Sequence, residues 1–388
     1  MKLSQYFKAF FNSSQSSGII LIFCVIASLL LANSSLGEAF QNLLDKEIGT
    51  TLFGLSYPIS IWINDGLMAI FFLLVGLEIK RELVEGELSN FKNASLPIFA
   101  ALGGMLVPAG IYFILNSGTP YAGGWGIPMA TDIAFSLAIV SLLGKSVPPS
   151  IKIFLAALAI VDDLGAIVVI ALFYTSELHW AYLGYSVLII LLLIALNKFK
   201  VKNLLLYLIP GVFLWYFMHH SGIHATIAGV ILAFTIPTNT SQTQISPLET
   251  LEQKLHIPVS YFIMPLFALA NTNITFKSGF ADGLISTFGL GIILGLFFGK
   301  VLGINLFSWI AIKLKISGLP KDSSWSQMIG VGFLAGIGFT MSIFIAILSF
   351  KGFPEIQDEA KIAILLASLL SGLVGFLLLK RIGKNKIQ

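Results

Sequence analysis

Apolar runs long enough to cross a bilayer recur twelve times along this chain, a pattern that no soluble fold accommodates. The first six spans read as 12–32, 58–80, 95–116, 122–143, 150–174 and 180–197. The remaining six read as 203–218, 222–237, 257–273, 285–312, 326–350 and 359–380. Only 11% of the 388 residues are charged, against about 25% in a soluble domain, so most of the surface faces something other than water. The expected fold class is an all-α integral membrane protein, one polytopic domain over 1–388 with about 12 transmembrane helices in membrane lipid.

Orientation follows from the rule that Lys and Arg collect in cytoplasmic loops. With the N-terminus inside and the spans alternating, 18 of the 23 Lys and Arg residues fall on the cytoplasmic side. Four (Lys46, Lys277, Lys351, Lys361) fall outside, and one, Lys300, lies inside a span. Both termini are therefore expected in the cytoplasm. Lys2 and Lys8 before the apolar run Gly18–Ala32 imitate a secretory signal, but the spans that follow make it a retained first helix. The net charge of +4 is spread along the chain without a basic, aromatic-lined groove, so nucleic acid is not an expected partner. The single Cys24 excludes an internal disulfide and a cysteine-based metal centre. Two longer connections stand out. Residues 33–57, outside, contain Thr50-Thr51-Leu52-Phe53-Gly54, which reads as a short hairpin, and residues 238–256, inside, read as a loop.

Five ionisable residues sit inside the apolar spans: Asp65, Asp132, Asp162, Asp163 and Lys300. Each costs roughly 2.5–3.5 kcal/mol at the bilayer centre on insertion scales, so such residues persist where they face a cavity or a partner. Four carboxylates and one ammonium suit a cation. Asp162 and Asp163 are adjacent and point about 100° apart on a helix, so one can meet a cation while the other turns to a different helix. Lys300 is the natural counter-charge for one of them. Asp132 follows a glycine-rich stretch with Pro128, and Gly336-Ile337-Gly338-Phe339-Thr340 is a second place where a helix is expected to break. Interrupted helices in corresponding parts of two halves point to an ion site at a repeat interface.

Elsewhere two readings stand side by side. Asp65 either lines an access path or is an ordinary polar residue in the outer third of its span. His224 either titrates near neutral pH or is simply hydrogen-bonded, and His219-His220 reads as an exposed loop pair. Glu78, Arg81 and Glu82 share one helix side, as do Glu249, Glu252 and His256. Each group is either a solvated helix end or a titrating cluster facing the cytoplasm.

These residues lie in stretches that closely resemble the NhaA-type sodium/proton antiporter family over nearly the whole chain. The matching stretches are Gly76-Leu77-Glu78-Ile79-Lys80-Arg81-Glu82-Leu83, Ala130-Thr131-Asp132-Ile133-Ala134-Phe135, Ala159 to Ile167 around Asp162-Asp163, and Gly336 to Phe344. The resemblance implies inverted repeats with two interrupted helices crossing near the membrane midplane. It implies that Asp162 and Asp163 form the ion and proton site, with Lys300 as partner of Asp162. Thr131 and Asp132 would belong to the first interrupted helix, and Gly336, Gly338 and Thr340 to the second. Glu78, Arg81, Glu82, His224, Glu252 and His256 match residues tied to pH response, and 33–57 matches a dimerising hairpin. The implied activity is electrogenic export of Na+ or Li+ for about two H+, by a homodimer in the bacterial inner membrane, with no cofactor and no enzymatic chemistry. The uncharged stretch from Thr238 to Pro247 departs from the more basic loop expected there, which bears on the pH set point.

Three other functions fit less well. An intramembrane aspartyl protease needs its two aspartates on different, converging helices. A channel needs a continuous coordinating pore, and a sodium symporter would move another solute with the ion.

Overall fold

The computed structural model describes residues 16–175, 178–238, 245–276 and 280–387. Lys2, Lys8, Lys277 and positions 239–244 of the polar loop lie outside the described residues. In chain order the elements are helices α1 (Ser16–Ala32) and α2 (Gly37–Asp45), strands β1 (Glu47–Thr50) and β2 (Leu55–Pro58), α3 (Ile59–Val84) and α4 (Phe91–Asn116). Then come α5 (Ile133–Leu142), α6 (Pro149–Phe173), α7 (Trp180–Lys198), α8 (Leu205–Ser221), α9 (Ile227–Thr235), α10 (Pro247–Pro258) and α11 (Met264–Asn271). The last are α12 (Phe280–Ile285), α13 (Thr287–Lys313), α14 (Trp325–Ala335), α15 (Phe339–Ser349) and α16 (Pro354–Ile387).

Among the described residues, seven helical stretches are long and apolar enough to cross a membrane, or up to nine when two bent pairs each count as one span. The other three expected spans fall on shorter pieces. Helix α8 has 17 residues, α9 has nine, and 257–273 is divided between the end of α10, a π-turn at Val259–Ile263 and the eight residues of α11.

Both longer connections hold a helix. Residues 33–57 hold not only the antiparallel β1–β2 pair, with Glu47 opposite Pro58 and Thr50 opposite Leu55, but also helix α2. Within the 238–256 connection, residues 247–256 are helical, as the shared helix side of Glu249, Glu252 and His256 implied. Ser246 starts α10 with a capping box, its hydroxyl accepting from Glu249 N–H at 3.1 Å while its own N–H donates to Glu249 Oε2 at 2.7 Å.

The chain gathers into two compact units, one from 1–26, 90–166 and 274–388, the other from 27–89 and 167–273. In the first, α4 and α13 pack so closely that a Cβ on Gly103 or Gly303 would collide with the carbonyl of the other. Two spans of this unit are interrupted by non-helical backbone. Ala122–Met129 is a 3-10 helix followed by extended backbone through Asp132, and α14 meets α15 at a 45° bend across residues 336–338. In the second unit α3 and α9 pack through Gly76 and Gly229, the latter facing the Ala69 carbonyl.

Candidate functional site

The first unit brings its sequence-predicted residues together at the two interruptions. Asp132 N–H donates to the Ile337 carbonyl at 2.6 Å, and the Thr131 hydroxyl donates to the Ala335 carbonyl at 2.8 Å. The non-helical stretches at 130–132 and 336–338 are thus stitched to each other. Each leaves helix-terminal N–H groups without an intrahelical partner, and Asp132 serves two such ends. Its Oδ1 accepts from Phe135 N–H at 3.0 Å in the first turn of α5, and its Oδ2 accepts from Thr340 N–H at 3.1 Å and from the Thr340 hydroxyl in the first turn of α15. A carboxylate between two helix N-termini meets the positive ends of both dipoles. A Cβ on Gly336 would collide with the Leu296 carbonyl, which is why that position has no side chain.

On α6, Asp162 and Asp163 are 1% and 2% exposed, and Lys300 on α13 is fully buried. Lys300 Nζ donates to Asp162 Oδ2 at 2.5 Å, and Asp163 acts on the same ammonium through space. Thr131 lies beside Asp162, although its hydroxyl is committed to Ala335. Asp162 Oδ1 is buried with no partner at hydrogen-bond geometry. The Thr131 hydroxyl and N–H act on this carboxylate only from further off, and so weakly satisfied a buried oxygen is costly, so the arrangement is suited to a ligand that supplies positive charge. Two carboxylates facing one ammonium carry a net negative charge when ionised, which one monovalent cation or a proton balances.

The sequence profile of the family described as Na+/H+ antiporter 1 matches residues 8–379. The chain belongs to this family. Its relatives include a protein of Flavobacterium johnsoniae named Na(+)/H(+) antiporter NhaA 2, 58% identical over 98% of this chain and 93% of the relative. A Na(+)/H(+) antiporter NhaA of Flavobacterium psychrophilum is 52% identical over 100% of this chain and 99% of its own length. One of Dechloromonas aromatica is 51% identical over 100% and 98%.

The other residues singled out in the sequence lie in the second unit. Asp65 sits in a π-turn, Trp62–Leu67, with its carboxylate 3.5 Å from His219 Nδ1 and 3.7 Å from His224 Nε2. His224 Nδ1 is 2.8 Å from the Thr226 hydroxyl. The reading of His219-His220 as an exposed loop pair is corrected: α8 runs on to Ser221, and His219 stacks on Trp215 with an edge contact to Tyr57. Gly222, at φ 91°, ends that helix one residue later.

Among the residues expected to respond to pH, Arg81 bridges Glu82 at 3.0 Å and Glu252 at 2.9 Å, and Glu78 lies within electrostatic reach of all three. Burial holds the Glu252 carboxyl above the usual carboxylate range, against the pull of Arg81; Glu82, Glu249 and Glu85 add to the upward push. Glu249 reaches this group only through space, and His256 does not join it. Glu249 is occupied in the capping box, and His256 is exposed. Lys80, one residue from Arg81, donates to the Phe234 carbonyl at 2.8 Å and to that of Ile236, closing the C-terminal end of α9.

Sequence reasoning passed over two serines at the interruptions. The Ser342 hydroxyl donates to the Ile127 carbonyl at 2.7 Å, and the Ser368 hydroxyl accepts from Phe339 N–H at 3.2 Å. Ser342 stands inside a stretch already marked by its glycines; Ser368 lies in an apolar helix where nothing sets it apart.

Proposed function

We propose that the chain is a secondary transporter, an electrogenic sodium(lithium)/proton antiporter exporting Na+ for about two H+ by competition at Asp162 and Asp163. The observation that supports this most is the buried carboxylate pair beside Lys300, with Asp162 Oδ1 lacking a close hydrogen bond, in a chain whose relatives are named sodium/proton antiporters. In a low-dielectric site the negative charge of the pair must be neutralised, by Na+ or by protons, and occupancy by one expels the other. On the cytoplasmic side Na+ displaces the protons; access then moves outward, where protons displace Na+. If both carboxylates discharge for one monovalent ion, about one net charge moves inward per cycle.

The same reading makes the chain a single polytopic domain of about 12 transmembrane helices in inverted repeats, in the bacterial inner membrane with both termini cytoplasmic. The stretches at 130–132 and 336–338 are then the interruptions of two helices crossing near the midplane, and Asp132 balances their N-terminal ends. Asp65 lines the outer access path, and the β1–β2 hairpin joins two copies into a homodimer within membrane lipid. Glu78, Arg81, Glu82, His224, Glu252 and His256 set the pH response; the Arg81–Glu252 contact between α3 and α10 supports that role, and the exposure of His256 leaves it at the margin.

Proton release tests the competition directly. In weakly buffered detergent solution, adding Na+ to the purified protein at alkaline pH is expected to release protons, and Asp163→Asn is expected to release fewer or none. Sodium binding without proton release would contradict shared-site exchange.

A further inference from the structure

Lys300 reaches Asp162 from a helix that is irregular in the turn just before it. Within α13, Gly295–Gly299 form a π-turn, and the Lys300 N–H donates to the Gly295 carbonyl, five residues back. Such a turn holds one residue more than an α-turn, so everything after it is rotated by about 100° relative to an unbroken helix. The π-turn has poorer internal hydrogen bonding than the α-helix it replaces, so contacts from outside must hold it.

Those contacts come from two prolines. A Cβ on Gly295 would stand 2.7 Å from Pro128 Cβ and 3.3 Å from the Pro108 carbonyl oxygen. A Cβ on Gly299 would stand 2.9 Å from Pro108 Cα and 3.2 Å from Ile111 Cδ1. Between the two glycines, the Leu296 carbonyl presses on Gly336 at the second interruption. The π-turn is thus gripped by α4 through Pro108, by the first interrupted segment through Pro128, and by the second through Gly336. Glycines needed only for close packing would serve equally on a regular helix. Here they flank the one turn whose extra residue sets the direction of Lys300.

We propose that Gly295 and Gly299 are positioning residues for Lys300: clamped by Pro108 and Pro128, they hold the π-turn that fixes the rotation at which its ammonium meets Asp162. The proposal rests on the reading of Lys300 as partner of Asp162 in ion exchange. A methyl group at either glycine pushes against a proline, and the relief open to the helix is to expel the extra residue and become regular, which carries Lys300 away from Asp162.

The test compares Gly299→Ala, Lys300→Ala, Pro108→Ala and the double variant Gly299→Ala/Pro108→Ala in proteoliposomes, following sodium-evoked proton flux against Na+ concentration and pH. Gly299→Ala is expected to raise the apparent KM for Na+ roughly ten- to hundredfold, the range for losing one charge-assisted hydrogen bond. Its pH profile is expected to move in the direction seen for Lys300→Ala. Pro108→Ala removes the ring Cγ at 3.2 Å but keeps the Cα at 2.9 Å, so the double variant is expected to recover only part of the way from Gly299→Ala towards Pro108→Ala alone. If Gly299→Ala lowers only the maximal rate while Lys300→Ala moves KM and pH profile, the proposal is overturned and the role of Lys300 stands. If Lys300→Ala moves neither, the underlying reading fails and the proposal with it.

A second measurement needs no transport. In a Cys24→Ser background, Lys300→Cys and Asp162→Cys are joined by a short bifunctional thiol reagent in membranes. The yield is expected to fall when Gly299→Ala is added, and an unchanged yield would overturn the proposal.

Discussion

Replacing Lys300 by methionine removes the ammonium and keeps an unbranched apolar stem. In the structure Nζ lies 2.5 Å from Asp162 Oδ2, and both side chains are fully shielded from solvent. Asp162 Oδ1 already lacks a close hydrogen bond, so the substitution leaves the whole carboxylate without its counter-ion. Breaking a buried pair by deleting one partner costs about 3–5 kcal/mol, whereas replacing both charges is often close to neutral. Lys300→Met alone and Asp162→Asn alone should therefore each destabilise by about 3–5 kcal/mol, and the double variant should return to within roughly 2 kcal/mol of the parent. At about 2–4 °C per kcal/mol, each single variant should melt roughly 6–20 °C lower. Thermal unfolding in detergent, followed by circular dichroism at one fixed pH, measures all four proteins. Additive losses in the double variant, or no loss in either single one, would refute the reasoning that these two charges sustain each other.

Two other consequences are open to the same kind of check. Asp132→Ala removes the acceptor for two helix N-termini and should cost about 2–4 kcal/mol, while Thr340→Val removes one hydroxyl donor and should cost about 1.5 kcal/mol; equal melting temperatures would show that Asp132 does not join the two interruptions. Glu252 has its carboxyl raised by burial, so folding binds its proton more tightly, and its contribution to stability is lost as pH rises from the ordinary carboxylate value through the raised one. Glu252→Gln mimics the protonated form permanently, so it should flatten that dependence and move the pH of activation to more alkaline values, read from flux–pH curves; a change in maximal rate alone would make the Arg81 contact purely structural.

The charged residues of the site were legible because they stand against their surroundings. Asp162, Asp163 and Lys300 interrupt long apolar runs, and the cost of burying a charge there marks them at once. Pro128 and the glycines at 336 and 338 marked the interruptions by ordinary backbone chemistry. Asp132 was visible as an anomaly, but its double capping was not, because Thr340 is 208 residues away. The π-turn before Lys300 left no trace in Gly295-Leu296-Phe297-Phe298-Gly299, since nothing in it forbids a regular helix; its cause lies in Pro108 and Pro128 on other segments. The start of helix α10 is written in Ser246-Pro247-Leu248-Glu249, a capping box with proline at the first helical position, and the spacing of Glu249, Glu252 and His256 gave only its helical side. The histidines at 219 and 220 were misjudged because the apolar run stops at Met218 while the helix continues to Ser221.

The measurement that bears most directly on the central claim is sodium-evoked proton flux in sealed, energised proteoliposomes carrying an internal pH dye. Sodium and lithium are expected to move protons across the membrane, potassium is not, and Asp163→Asn is expected to abolish the signal while the protein stays folded. Proton movement that persists in Asp163→Asn at wild-type rate, or sodium entry that moves no protons at any pH, would contradict exchange at the buried aspartate pair.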